Sequence, residues 1–126
     1  MTGYVSNIEE KTLNNSYFRQ VLFTGAHAQL VVMSLLPGED IGMEVHPNVD
    51  QFFRFESGEG KVIINGEESL VKDGFAVIVP AGAEHNIINV SVDRALKLYT
   101  LYSPPNHPDG TVHKTKSEAM AAEGEH

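Results

Sequence analysis

The chain contains no cysteine, which excludes disulfides, thiolate-bound zinc and a cysteine nucleophile at once. Any metal it holds must be bound through imidazole and oxygen. Basic residues are scarce: 9 Lys and Arg stand against 17 Asp and Glu, giving a formal net charge of −8, and no Lys/Arg cluster interrupts the acidity. A phosphate backbone is repelled by such a surface, so nucleic acid is excluded as a partner and anionic lipid is disfavoured. One buried Lys or Arg is still enough to bind a single phosphate or carboxylate on a small ligand. Long apolar runs are missing too. Leu30 to Met33 and Phe75 to Val79 are among the longest, far below the ~20 residues that span a bilayer, and Met1 to Glu10 lacks a basic-then-apolar leader pattern. The expectation is a soluble, cytoplasmic protein with no membrane partner. There is no internal repeat or linker, and 126 residues with 41% hydrophobic content suffice for one compact domain and not two.

What the chain does have is a series of short alternating runs separated by turn residues, the pattern of an all-β barrel or sandwich. Strands are expected at Gln29–Leu36, Met43–His46, Gln51–Glu56, Lys61–Asn65, Ser69–Val71, Phe75–Val79, Glu84–Val90 and Ala95–Ser103. Asn65-Gly66 predicts a type I′ hairpin, because both central residues of that turn need positive φ. Pro37-Gly38, Ser57-Gly58, Asp73-Gly74 and Pro80-Ala-Gly82 mark further breaks, and no segment of this region sustains helical periodicity. The pattern predicts a meandering antiparallel barrel over residues 29–103. Residues 1–28 form an N-terminal extension packing on it, with Ile8 to Phe18 irregular or extended and leading into a strand at Arg19–Thr24. Residues 104–126 form a C-terminal loop and a short helix, for which Ser117 is the expected cap.

Side chains alternate faces along a strand, so Glu44 and His46 point one way while Met43 and Val45 point the other. Gln51 opens the next strand after the Pro47-Asn48 turn, and His85 lies on a distant strand that barrel closure can bring opposite. By the same parity, if Lys97 points out then Tyr102 points in. His107 and His113 flank a Pro-Asp-Gly turn in a loop able to fold over the barrel mouth as a lid.

Two motifs give this pattern a family likeness. Gly74-(x5)-Pro80-Ala-Gly82-(x2)-His85-(x3)-Asn89 resembles the second cupin motif at every specified position. Gly38-(x5)-Glu44-Val-His46-(x4)-Gln51-(x6)-Gly58 keeps the spacing of the first, with Glu44 where that motif has His and Gln51 where it has Glu. The resemblance implies the cupin double-stranded β-helix, a jelly-roll-like barrel, in which Glu44, His46, Gln51 and His85 converge on one divalent metal ion. The carboxylate has changed place and an imidazole has become an amide, so the charge of the ligand set is unaltered. Manganese and iron are as suitable as zinc or nickel. A shorter spacing would put Asp50 at the acidic position, but it moves the terminal Gly onto Ser57, whereas Gln51 shares an apolar face with Phe53 and Phe55. Gln51 is therefore preferred as the inward group.

Glu44 to Arg54, the Gly58-Glu-Gly60 turn and the tail Tyr102 to Lys116 also look like small bacterial cupins described as mannose-6-phosphate isomerase-like. That likeness implies a metal-dependent isomerase acting on a sugar or another small polar metabolite, with Glu44 and Tyr102 as catalytic groups and His27 a further candidate base. The alternatives are a small-ligand binder without catalysis and a non-haem iron dioxygenase. A homodimer is expected as well. Val31, Met33 and Leu35 alternate with Leu30, Val32 and Leu36, and Tyr99 and Leu101 with Leu98 and Tyr102, so two strands are apolar on both faces and a barrel interior covers only one of them. Met33 is taken to lie on the outer face.

Overall fold

The structure, a computed structural model, describes residues 2–124. A first helix, α1 (Ile8–Asn14), precedes ten strands, and a second, α2 (Lys116–Gly124), follows them. The strands are β1 (Arg19–Thr24), β2 (Gln29–Leu35), β3 (Glu44–Val45), β4 (Asp50–Ser57), β5 (Glu59–Ile64), β6 (Glu67–Lys72), β7 (Ala76–Val79), β8 (Glu84–Asn89), β9 (Leu96–Ser103) and β10 (Val112–His113). They form two antiparallel sheets, one ordered β10-β1-β2-β9-β4-β7 and the other β3-β8-β5-β6. Of these neighbours only β1–β2 and β5–β6 are consecutive in the chain, so the expected meander is replaced by the crossing order of a jelly roll. Alternation within a strand reports its faces and is silent about its neighbours, which is why the order could not be read from it.

The Asn65-Gly66 hairpin between β5 and β6 forms as expected, with φ of 49° and 82°. Gly58, at φ 101°, makes the turn into β5 where a Cβ would stand 2.6 Å from the Ala95 carbonyl oxygen. The core fills the space between the sheets. Met33, Leu35, Phe53, Phe55, Leu96 and Leu98 enter from the larger sheet and Val62, Val71 and Ile87 from the smaller.

Three expectations are corrected. Ile8 to Asn14 is helical, capped by Asn7, whose side chain accepts a hydrogen bond from Glu10 N; among its residues only Thr12 is buried, so the helix carries almost no apolar periodicity, and the cap was its one signal. Met33 is fully buried among the core residues and lies inside the barrel. The outer face of β2 belongs to Leu30, Val32 and Ser34, and α1 packs there, against β2, β4 and β9. Finally, α2 starts one residue before Ser117, and its cap is Thr115. Thr115 Oγ1 accepts from Glu118 N while the Glu118 carboxylate accepts from Thr115 N, a reciprocal capping box. β1 and β10, from either side of residues 29–103, are both integral to the larger sheet.

Candidate metal centre

Glu44 and His85 are direct cross-strand partners on β3 and β8, so their side chains share a face. β3 is only two residues long, and its position is set by side chains of β8. Asn86 accepts from Gly42 N at 2.9 Å and donates to Asp40 at 2.9 Å, and Ile41 N donates to the Ile87 carbonyl. Beyond the strand end, the His46 carbonyl accepts from Gly82 N at 2.9 Å. The Pro80 to Ala83 turn thereby holds His46 beside the start of β8.

Donor atoms of Glu44, His46 and His85 lie within 4.8 Å of one another. His46 Nε2 and Glu44 Oε2 are 3.0 Å apart, the separation of neighbouring ligands on an ion with bonds of about 2.1 Å. His85 is buried, and its Nδ1 sits 3.1 Å from the Ala83 carbonyl oxygen. That oxygen can only accept, so Nδ1 carries the proton and Nε2 keeps its lone pair, the tautomer a metal ligand needs. Burial alone would raise the Glu44 pKa. The hydrogen bond from His46, together with the electrostatic influence of the neighbouring His46, Arg19 and His85 side chains, outweighs it and holds the carboxyl below its ordinary value.

Gln51 points inward and is 2% exposed, whereas Asp50 is exposed and accepts from Ala81 N at 2.9 Å. Gln51 Nε2 donates to Thr100 Oγ1 at 3.0 Å, and its carbonyl oxygen is buried with no partner. Two imidazoles and a carboxylate with their donor atoms together fit a divalent cation, and an orphaned buried amide oxygen inside the barrel is a further group such a cation could satisfy.

Tyr102 also points inward. Its ring stands edge-on between His46, at 5.9 Å between centroids, and His107, at 5.1 Å. The hydroxyl is 3.2 Å from His107 Nε2. Burial pushes the phenol pKa well above its ordinary value, despite Arg19 and Gln51 beside it. His27 is exposed in the turn between β1 and β2.

Two important residues escaped the sequence reading. Arg19 is 2% exposed. Its Nη1 lies 3.4 Å from His113 Nδ1, its Nε is buried without a partner, and no ion pair among the described residues includes it. Parity with the buried Val21 was the available clue, since both sit on one face of β1. Gln29, fully buried, donates to Thr24 Oγ1 and to the His107 carbonyl and accepts from Asn106 N and His107 N. This amide pins the loop after β9 across the barrel and delivers His107 to Tyr102.

Comparison with known proteins places these features in context. Residues 31–102 match the family described as the cupin domain. "Uncharacterized protein YrkC" of Bacillus subtilis is 51% identical over 126 residues, spanning 95% of this chain and 67% of the relative. "Uncharacterized protein L612" of Acanthamoeba polyphaga mimivirus is 46% identical, spanning 86% of this chain and 70% of the relative. A crystal structure from Bacillus halodurans superposes with a TM-score of 0.91 at 48% identity, covering 94% of this chain and 93% of that one. The larger part of the chain is therefore shared with all three.

Proposed function

The chain belongs to the cupin family, and we propose that its barrel mouth is a divalent-metal centre serving an isomerase-type reaction on a sugar or similar polar metabolite. One observation carries the metal assignment: Glu44, His46 and His85 present their donor atoms within 4.8 Å. The isomerase element rests on the likeness of Glu44 to Arg54 and of the tail to mannose-6-phosphate isomerase-like cupins, together with the state of the two remaining polar groups.

A bound divalent ion would supply Lewis-acid polarisation of a substrate carbonyl or hydroxyl. Glu44, His46 and His85 would hold the ion, and Gln51 would add its orphaned oxygen to these three donors. Glu44 is ionised, and Oε2 is the oxygen that engages His46; the other oxygen is the proton acceptor. Tyr102 stays protonated, so it donates a hydrogen bond to a substrate oxygen instead of removing a proton. His107 holds that hydroxyl in place, and the Gln29-pinned loop limits the entry of water.

Elemental analysis of the purified protein tests the metal. The expected result is near-stoichiometric divalent metal that is lost in His85→Ala and in the His46→Ala, His85→Ala double variant. Loss should cost about 2.7 kcal/mol of stability when the metal is present at 100 times its Kd. Full retention of metal in the double variant overturns the site. The reaction is tested by NMR in heavy water: an isomerase exchanges the proton next to a sugar carbonyl without consuming oxygen. Oxygen uptake by the iron-loaded protein would instead select a dioxygenase, and neither signal would select a binder.

A further inference from the structure

We propose that Arg19 is the anchor for an oxyanion, a carboxylate or a phosphoryl group, on the molecule that reaches the metal centre. This rests on the mouth of the barrel being the ligand site, as argued above. Arginine is seldom fully buried without a carboxylate, because a desolvated cation is costly. Here the guanidinium is 2% exposed, sits outside every ion pair among the described residues, and has a buried, unpartnered Nε. Its close polar neighbours are His113 Nδ1, 3.4 Å from Nη1, and the Tyr102 hydroxyl, and Phe18 stacks beneath it with 5.3 Å from the guanidinium carbon to the ring centroid. Those contacts fix the plane of the fork and leave the Nε edge without an acceptor. A planar fork with one open edge suits an oxyanion that takes two hydrogen bonds side by side.

The surroundings leave room for such a group. A cavity of about 300 Å³ is bounded by Arg19, His107 and His113, with Glu123 among its lining residues. Tyr102, beside Arg19, makes edge contacts both with His107, which lines this cavity, and with His46. An acid held by Arg19 thus has the Tyr102 hydroxyl and the metal ligands on its far side. Glu44 lies close enough for the Arg19 charge to stabilise its carboxylate, but it already engages His46, so the cation is left to an external anion. The chain is strongly acidic overall, and a buried cation at the mouth gives an anionic ligand one favourable destination.

The test compares three probes of similar size on the full chain, both metal-loaded and metal-stripped, by calorimetry and thermal shift. Glycolate carries a carboxylate beside a hydroxyl, ethylene glycol is its neutral counterpart, and inorganic phosphate is the other oxyanion. The expected result is that glycolate or phosphate binds and raises the melting temperature, whichever binds more tightly naming the group, while ethylene glycol does neither. Arg19→Met should weaken that binding by about tenfold to a hundredfold, and Arg19→Lys by less, with metal content unchanged in both. Because the dependence on Arg19 is also read in stripped protein, it is separable from the metal assignment: a wild type that never holds metal but binds anions through Arg19 sinks only the latter. Anion affinity that survives Arg19→Met, or ethylene glycol binding as well as glycolate in the wild type, overturns the anchor. The wild-type comparison needs no variant to fold.

Discussion

At the scale of single residues, the site departs from its family's usual pattern at Glu44 and Gln51, and both departures have structural sense. Glu44 pairs across the strands with His85 and bonds His46; Gln51 spends its amide nitrogen on Thr100 and keeps its oxygen free. Glu44→His with Gln51→Glu should therefore preserve a metal site while moving its charge from β3 to β4. We expect metal selectivity to shift toward zinc or nickel, read by competition between metals, and turnover in the proposed isomerase reaction to fall by tenfold or more, about 1.4 kcal/mol of transition-state stabilisation. Unchanged selectivity together with unchanged turnover would show that neither side chain reaches the ion. Much at this scale was legible. The resemblance to the two cupin motifs singled out His46 and His85, whose donor atoms the fold brings together with that of Glu44, and the apolar face of Gln51, Phe53 and Phe55 placed Gln51 inward ahead of Asp50. Arg19 was not legible, because strand parity marks a face as shared without saying that the face is inside. Met33 was misplaced for the same reason: Leu30, Val32 and Leu36 were as apolar as its own side, and only the partner strands decide which row is core.

At the scale of elements, the loop after β9 and the helix α1 differ in how they announce themselves. The loop was visible from its prolines and its Pro-Asp-Gly turn. Its attachment was not, since it depends on Gln29, 77 or 78 residues away from the amides it binds. α1 was hidden because it packs through Thr12 and its own polar ends, not through an apolar stripe. The attachment of the loop has a measurable signature in His107. Burial, reinforced by the Arg19 charge, pushes its pKa down from 6.5 to about 4. In the unfolded chain the ring protonates as pH falls through about 6.5, and in the folded chain it does not. Between those values the unfolded state binds more protons, so stability must fall as the solution is acidified from pH 6.5 to about 4. The full effect is no more than about 3 kcal/mol. Urea unfolding at neutral pH and near pH 5 should show this loss in the wild type and a smaller one in His107→Gln. Equal losses would mean that the ring is hydrated and the loop stands away from Tyr102.

At the scale of the whole molecule, the outer surface of the larger sheet carries one apolar row. Ile78, Phe52, Leu101, Leu30 and Phe23 are successive cross-strand partners on β7, β4, β9, β2 and β1. Ile78 is 67% exposed, while α1 and the barrel already bury Val32 and Ser34 nearby. The N-terminal segment thus covers part of the face within one chain, Tyr4 against Phe23 included, and leaves the rest of this row half-buried and Ile78 exposed. We propose that a second copy of the chain covers it in a two-fold dimer. Light scattering should give about twice 13.8 kDa, and Phe52→Glu should yield monomer with its metal intact. A wild-type mass near 13.8 kDa rejects the dimer. Met33→Glu is no test, since it charges the core.

The Gln29 amide has a further consequence. It grips the loop at two neighbouring backbone positions through both its oxygen and its nitrogen, so the loop has no half-open state of low energy: either all of these bonds are kept or they go together. For a ligand that enters the proposed site past His107, entry and departure then become a single activated event. On the function proposed above, the frequency of that event would set a ceiling on turnover that improvements in the chemistry at Glu44 or Tyr102 could not raise. The pace of such a reaction would then be governed by Gln29, a side chain outside the proposed ligand set.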